Sequence, residues 1–225
     1  ARKSLSLFGD TKQQMNSHGS NIKDIAEGLD SKQMSLDYNY RLPKAIAKVA
    51  QQIIGGGVDL MSNNQKDGGN SDYPNYPKPI ITQYANPEKE LEGILTRIQM
   101  EDLDDVAILV PSDKEVMMVN DYLANHGIKT QVMYRTGNTV PFRTVNTLDF
   151  SNNDLPCILT YYAAKGSEFD NVFVPFANTS NDCSRNSFYV ACTRSSRSLY
   201  ISYSGTKTKY LSDVNSDFIT ELKAA

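Results

Sequence analysis

Residues that hold metals or close disulfides are scarce in this chain. Three cysteines, Cys157, Cys183 and Cys192, cannot all pair with one another, and none sits in a Cys-x-x-Cys spacing. Only two histidines, His18 and His126, accompany them. That scarcity argues against a metal site or a disulfide framework and for buried or half-buried free thiols in a reducing compartment. An excess of positive charge is lacking too: 23 Lys and Arg against 26 Asp and Glu leave a formal net charge of −3. Nucleic-acid binding by bulk charge is thereby excluded, and any such contact has to be local, a few cations in one groove. No apolar run approaches the length of a membrane span, and no signal-peptide pattern opens the chain. These absences describe a soluble, cytoplasmic protein. A phosphate loop is missing as well. Gly55-Gly56-Gly57 is not followed by Gly-Lys-Ser/Thr and reads as the stop of the preceding helix.

What is present is enough for a real core, since 40% of the 225 residues are apolar. Strand-like and helix-like segments alternate along the C-terminal three-quarters. Ile80–Tyr84 is β-rich, and Asn86-Pro87 then offers a cap and a first-turn proline to a helix whose stripe is Leu91, Ile94, Leu95 and Ile98. Val106–Val110 is a continuous apolar run, as a strand covered on both faces requires. Ser112-Asp113-Lys114-Glu115 spells a capping box, with Val116, Val119 and Leu123 as the helix stripe and Gly127 as its stop. Further strands are expected at Lys129–Tyr134, Cys157–Tyr162, Val172–Phe176 and Leu199–Tyr203. This alternation predicts a parallel α/β sheet. Gly55 to Pro79, rich in Gly, Asn, Asp, Ser and Pro, predicts a long surface loop, and Arg135 to Leu155 a hairpin or small insertion. Asp102, Asp104 and Asp105 read as a solvated helix end.

One segment concentrates polar residues between two strands. Thr160-Tyr161-Tyr162-Ala163-Ala164-Lys165-Gly166-Ser167-Glu168-Phe169-Asp170 leaves the end of the Cys157 strand, where α/β folds place ligands, and Gly166 allows a close backbone approach. The segment resembles motif V of UvrD/Rep-type superfamily I helicases, a Thr-x-His-x-x-Lys-Gly-Leu-Glu-Phe-Asp pattern. Tyr162 replaces the histidine and Ser167 the leucine. Phe188-Tyr189-Val190-Ala191-Cys192-Thr193-Arg194 resembles motif VI, Tyr-Val-Ala-x-Thr-Arg, with a strand following. Upstream, Asn39-Tyr40-Arg41 resembles motif IV, Asn-Tyr-Arg-Ser, and a helix follows it with Pro43 in its first turn and Ile46, Val49, Ala50, Ile53 and Ile54 on one face. Gly9-Asp10-Thr11-Lys12-Gln13 resembles motif III, Gly-Asp-x-x-Gln. The four motifs stand in the family's order.

The resemblance implies roles. Arg41 and Arg194 reach across a cleft to the nucleotide, Arg194 as an arginine finger that supports no core; a forked, permanently charged guanidinium suits a γ-phosphate on which charge develops. Gln13 senses the γ-phosphate or orients the attacking water. Glu168 takes a ribose hydroxyl and Gly166 lines the cleft. Thr160 and Lys165 touch the DNA backbone, contacts that position a strand without reading its sequence. Motif III lacks its usual following aromatics here, so Tyr162 or Tyr161 is left to stack on bases, core packing being the other fate of a strand tyrosine.

The implied architecture is a RecA-like, mostly parallel sheet flanked by helices, without its own Walker A motif. Residues 1–35 would hold motif III and a connection from the first motor domain, Leu5–Phe8 being a remnant of that domain's sheet. Residues 36–225 would form the second RecA-like domain, with a flexible loop at 55–79 and an insertion at 135–155. The missing first domain would bind most of the ATP and Mg2+. The partners implied are single-stranded or partly duplex DNA and that first domain, in a helicase or translocase of DNA repair or another pathway. Two other readings stay open at this point: a non-catalytic nucleic-acid-binding or regulatory module that keeps the fold, and an RNA helicase of the same superfamily, which usually carries Gln-Gly where this chain has Lys165-Gly166.

Overall fold

Two local signals written in the sequence set the first half of the fold. Pro43, in extended backbone at φ −56°, opens α2 (Lys44–Ile54), and Gly55 closes it at φ 67°, a left-handed conformation that favours glycine. The expected stripe of Ile46, Val49, Ala50, Ile53 and Ile54 is buried. In α3 (Pro87–Met100), the Asn86 side chain accepts the Lys89 amide at 2.9 Å and Pro87 fills the first helical position, as expected. The Ser112 signal is realised differently. The Ser112 hydroxyl makes no cap to the backbone of α4 (Asp113–Asn125) and instead donates to the Glu115 carboxylate, so the reciprocal capping box is not formed.

The computed structural model describes residues 13–15, 22–29, 31–32, 34, 42–55, 76–137, 143–179 and 183–224. The proposed Leu5–Phe8 strand, most of the 55–79 loop and Arg41 lie outside them. A short helix, α1 (Ile22–Gly28), precedes α2. The strands are β1 (Ile80–Tyr84), β2 (Val106–Val110), β3 (Gln131–Thr136), β4 (Arg143–Asn146), β5 (Cys157–Thr160), β6 (Phe169–Val174), β7 (Ser195–Ser204) and β8 (Thr220–Lys223), with α5 (Arg185–Cys192) between β6 and β7. They form one sheet in the order β4-β3-β5-β2-β6-β7-β1-β8. All neighbours are parallel except β3 and β4, which form the hairpin expected after Arg135.

The sheet is covered on both faces, which is why β2 reads as an unbroken apolar run: all five of its residues are buried. Ala107 and Leu109 join α2 and α5 on one face, whereas Val106, Ile108 and Val110 join α3 and α4 on the other. The period-2 alternation of a strand makes this division. The buried α3 face also includes a charge. Glu90, fully buried, accepts the Phe176 amide and the Ser202 hydroxyl, both at 2.8 Å. Phe176 itself sits at φ 59°, an unusual backbone for a bulky residue. Asp105 differs from the solvated helix end expected of it. Its carboxylate accepts the Asp170 amide at 2.8 Å and its carbonyl the Asn171 amide at 3.1 Å, locking the start of β2 to β6.

Candidate functional site at the α5–β7 junction

The stretch between β5 and β6 does something that parallel strands rarely manage without a helix. β5 ends at Thr160, opposite Val110, the last residue of β2. β6 is already under way where Asn171 pairs with Val106, the first residue of β2. Eight residues, 161–168, therefore carry the chain over β2 from its C-terminal end back to its N-terminal end, a strand length of about 17 Å. They do so as successive turns: the Ala164 amide donates to Thr160 O at 3.0 Å, Lys165 to Tyr162 O at 3.2 Å and Ser167 to Ala164 O at 3.1 Å. Ala164 is buried against the face formed by α2 and α5. Thr160 Oγ1 accepts the Ala163 amide at 3.1 Å. The polar segment is thus a crossover, not a loop confined to the C-terminal edge of the sheet. Its Ser167-Glu168 end lies at the N-terminal edge, where β7 also begins.

Arg194 closes this junction. α5 starts at Ser184, whose side chain accepts the Ser187 amide, and ends at Thr193, leaving Arg194 to turn the chain into β7. Its side chain is 1% exposed. Nε donates to Val190 O at 2.9 Å, Nη1 to Ser167 O at 3.2 Å and Nη2 to Thr193 Oγ1 at 3.2 Å. Thr193 Oγ1 in turn donates to Val190 O at 3.0 Å. The Arg194 carbonyl accepts the Phe169 amide at 3.0 Å. Two stretches some twenty residues apart in sequence are thereby pinned together through one guanidinium. The expectation of an arginine that supports no core is corrected: a cation that bridges a helix end and a crossover holds both in place, because carbonyls at a helix C-terminus lack intrahelical donors.

Residues 156–202, β5 through the greater part of β7, match the model of the UvrD-like helicase C-terminal domain. Among solved structures, the chain is similar to the C-terminal domain of a possible DNA helicase from Lactobacillus plantarum WCFS1, with 20% identity and a TM-score of 0.57 over 81% of this chain and 98% of that one. An arterivirus nonstructural protein 10 helicase solved with DNA aligns over 80% of this chain and 37% of its own, at 8% identity and a TM-score of 0.47. No curated protein sequence matches the chain. The chain shares the fold of that Lactobacillus domain, a RecA-like, mostly parallel sheet with helices on both faces.

Within the matched segment the structure separates two tyrosines that the sequence left undivided. Tyr161 is 2% exposed and meets Phe188 edge-on at 6.4 Å, and burial pushes its hydroxyl pKa well up. Tyr162 is 54% exposed. Lys165, Gly166 and Glu168 are also on the surface. Gly166 has φ 91°, and a side-chain carbon there would meet nothing within 4 Å, so an open surface lies beside a backbone only glycine adopts readily.

Gln13 is half-buried, and the carbonyl of its neighbour Gln14 accepts the Asn186 side chain at 2.8 Å. Asn186 stands in the first turn of α5 and Arg194 just beyond its last, about 12 Å along the helix axis. The structure therefore places the motif III glutamine at the opposite end of α5 from Arg194 and does not bring the two together. Cys157 and Cys192 are buried and Cys183 partly so, and none of the three is in a disulfide; burial pushes the Cys157 thiol up to about 11 and the Cys192 thiol further. Among the described residues no group of three or more His, Cys, Asp or Glu is placed to hold a metal ion, and no helix is long and apolar enough to cross a membrane.

Sequence reasoning missed Arg197. Phe169 pairs with Ser195 but Asn171 with Ser198, so β7 carries one extra residue here, a β-bulge. Ser195, Ser196 and Ser198 are buried while Arg197 alone is exposed. Ser196 donates to the Asp170 carboxylate opposite. Among the described residues Arg197 has no hydrogen bond or ion pair. The run Ser-Ser-Arg-Ser after the arginine was the available signal, since a charge amid small polar residues departs from the alternation of a buried strand.

Proposed function

We propose that this chain is the second motor domain of an ATP-dependent DNA helicase or translocase. The observation that supports it best is the joining of the motif V crossover to the motif VI arginine through the Arg194–Ser167 hydrogen bond. One end of the crossover carries Thr160, Tyr162 and Lys165, suited to a nucleic-acid strand: a hydroxyl, an exposed ring and a cation. The other end carries Gly166 and Glu168, suited to a nucleotide, with Arg194 behind them; Arg41 and Gln13 would reach the nucleotide separately, Gln13 from the far end of α5. Open space beside Gly166 fits the approach of a ligand. ATP with Mg2+, held mainly by a companion domain, would supply the phosphoryl group whose hydrolysis drives movement along DNA. On this reading the crossover is the shared wall of both sites. The first 35 residues connect to the companion domain, and residues 36–225 are the motor domain proper.

The burial of Arg194 favours one alternative, a regulatory module that keeps the fold while its arginine serves structure alone. DNA-stimulated ATP hydrolysis by the full-length protein, abolished by Arg194→Ala in molecules that remain folded, supports the motor. Hydrolysis by full-length protein that is indifferent to DNA and to Arg194 would remove it.

A further inference from the structure

Phe150 is a large aromatic side chain left 58% exposed. Flexible loops often expose such rings without consequence, but this loop is built. Gln131, buried in β3, brackets Phe150 with both ends of its amide: Oε1 accepts the Asp149 amide and Nε2 donates to Asn152 O at 2.7 Å. Thr147 pairs with the Val132 backbone in both directions, its amide donating and its hydroxyl accepting, each at 2.9 Å. The Asp149 carboxylate accepts the Ser151 amide and hydroxyl. A buried polar side chain spent on a surface loop fixes the direction of whatever the loop carries.

What it carries points at the junction described above. The Phe150 ring lies 6.4 Å from that of Phe169, whose amide bonds the Arg194 carbonyl. The bulge that exposes Arg197 lies on the adjacent strand, one strand spacing of about 4.8 Å away. Around Phe150 the surface is polar: Asp149, Ser151, Asn152 and Asn153 are all exposed. A protein-docking face needs a contiguous apolar patch of several hundred Å2, which a lone ring among polar neighbours does not offer. A flat exposed ring packed on Phe169, with an exposed guanidinium on the strand next to that of Phe169, suits a ligand with a π-face and a phosphate.

We propose that Phe150 is a stacking platform for a nucleobase, with Arg197 on the same edge to receive a phosphate. This rests on the helicase reading and adds to it a residue outside the four motifs. The base can come from a mononucleotide or from a single strand, and the chemistry of recognition is the same.

The chain contains no tryptophan, so Phe150→Trp creates a lone indole whose emission reports stacking at that position. Titrations of this chain into the millimolar range with ATP, with dT15 and with tripolyphosphate separate the sources. The expected result is saturable quenching by ATP or by dT15 and none by tripolyphosphate, the quenching probe identifying the source. Phe150→Ala should weaken binding of that same probe, followed by anisotropy or calorimetry, about 5- to 150-fold, and Phe150→Tyr should restore it. Wild-type binding that Phe150→Ala leaves unchanged overturns this inference alone. A wild-type chain that binds neither ATP nor dT15 overturns both it and the DNA-contacting role on which it rests.

Discussion

Arg194 donates through Nη1 to the carbonyl of Ser167, 27 residues earlier, and this bond joins the two ends of the candidate site. It also makes Arg194 answer two demands at once. The same group that would act on a phosphate secures α5 to the crossover.

Arg194→Ala is therefore expected to lower both stability and turnover. Losing the guanidinium leaves the part-buried Ser167 carbonyl without that donor and Val190 O with the Thr193 hydroxyl alone, a cost of about 1–3 kcal/mol where an acceptor stays buried and unpaired. A melting experiment on the chain reads that loss. Single-turnover hydrolysis by the folded fraction of the full-length protein reads the other, expected to fall about 10³-fold or more if the arginine acts on the transition state. Arg194→Lys should recover little of either, since a point charge cannot span three acceptors set in a fork. Normal turnover in folded Arg194→Ala would assign the residue to structure alone.

The chain by itself should not hydrolyse ATP. Its sequence has no phosphate loop to hold the β- and γ-phosphates. Turnover above a buffer blank, with or without single-stranded DNA, would contradict the division of labour proposed between two domains.

Binding of single-stranded DNA to the chain should be weak and steeply salt-dependent, since a net charge of −3 leaves only local cations to release counterions. Lys165→Ala should reduce the salt slope by about one and weaken binding uniformly across sequences. Tyr162→Ala should lower affinity with little change of slope. Tight binding that persists in high salt would place the interface elsewhere.

Glu90 gives a pH signature. Burial pushes its pKa up, against the pull of hydrogen bonds from Phe176, Ser202 and Ser204. A raised folded-state pKa means that the charged form costs the folded state. The stability linked to Glu90 is fully present below the unfolded-state pKa and is lost as pH rises through the higher folded value. Glu90→Gln, which keeps an acceptor and removes the charge, should gain melting temperature relative to wild type as pH rises from the acid side towards neutrality and above. A variant that loses ground as pH rises would show that the ionised carboxylate is wanted.

Local signals carried most of the fold. Asn86-Pro87, Gly55 and the apolar run at 106–110 each name their element because the deciding interactions are short-range: a cap, a backbone angle, an unbroken stripe. Strand ends were less legible. β7 begins at Ser195, four residues before the apolar residues that announced it, because the pairing of Ser195 with Phe169 is made by backbone and leaves no side-chain pattern. The candidate site was legible as motifs, with Thr160, Lys165, Gly166, Glu168 and Arg194 all named from a resemblance to helicase motifs. Its arrangement was not.

The sequence by itself determined that an α/β sheet forms, that the chain contains no phosphate loop, and that segments resembling two helicase motifs lie between β5 and β7. The first follows from composition and periodicity and the others from short motifs, all properties of neighbours along the chain. Only the tertiary structure decided that 161–168 crosses over β2 from its C-terminal to its N-terminal end, that Tyr161 is core while Tyr162 is surface, that Arg194 is buried, and that Gln131 brackets the exposed Phe150. Each of these depends on what lies across a strand or beneath a loop. Burial and hydrogen-bond partnership are set by residues tens of positions away, and no local pattern records them.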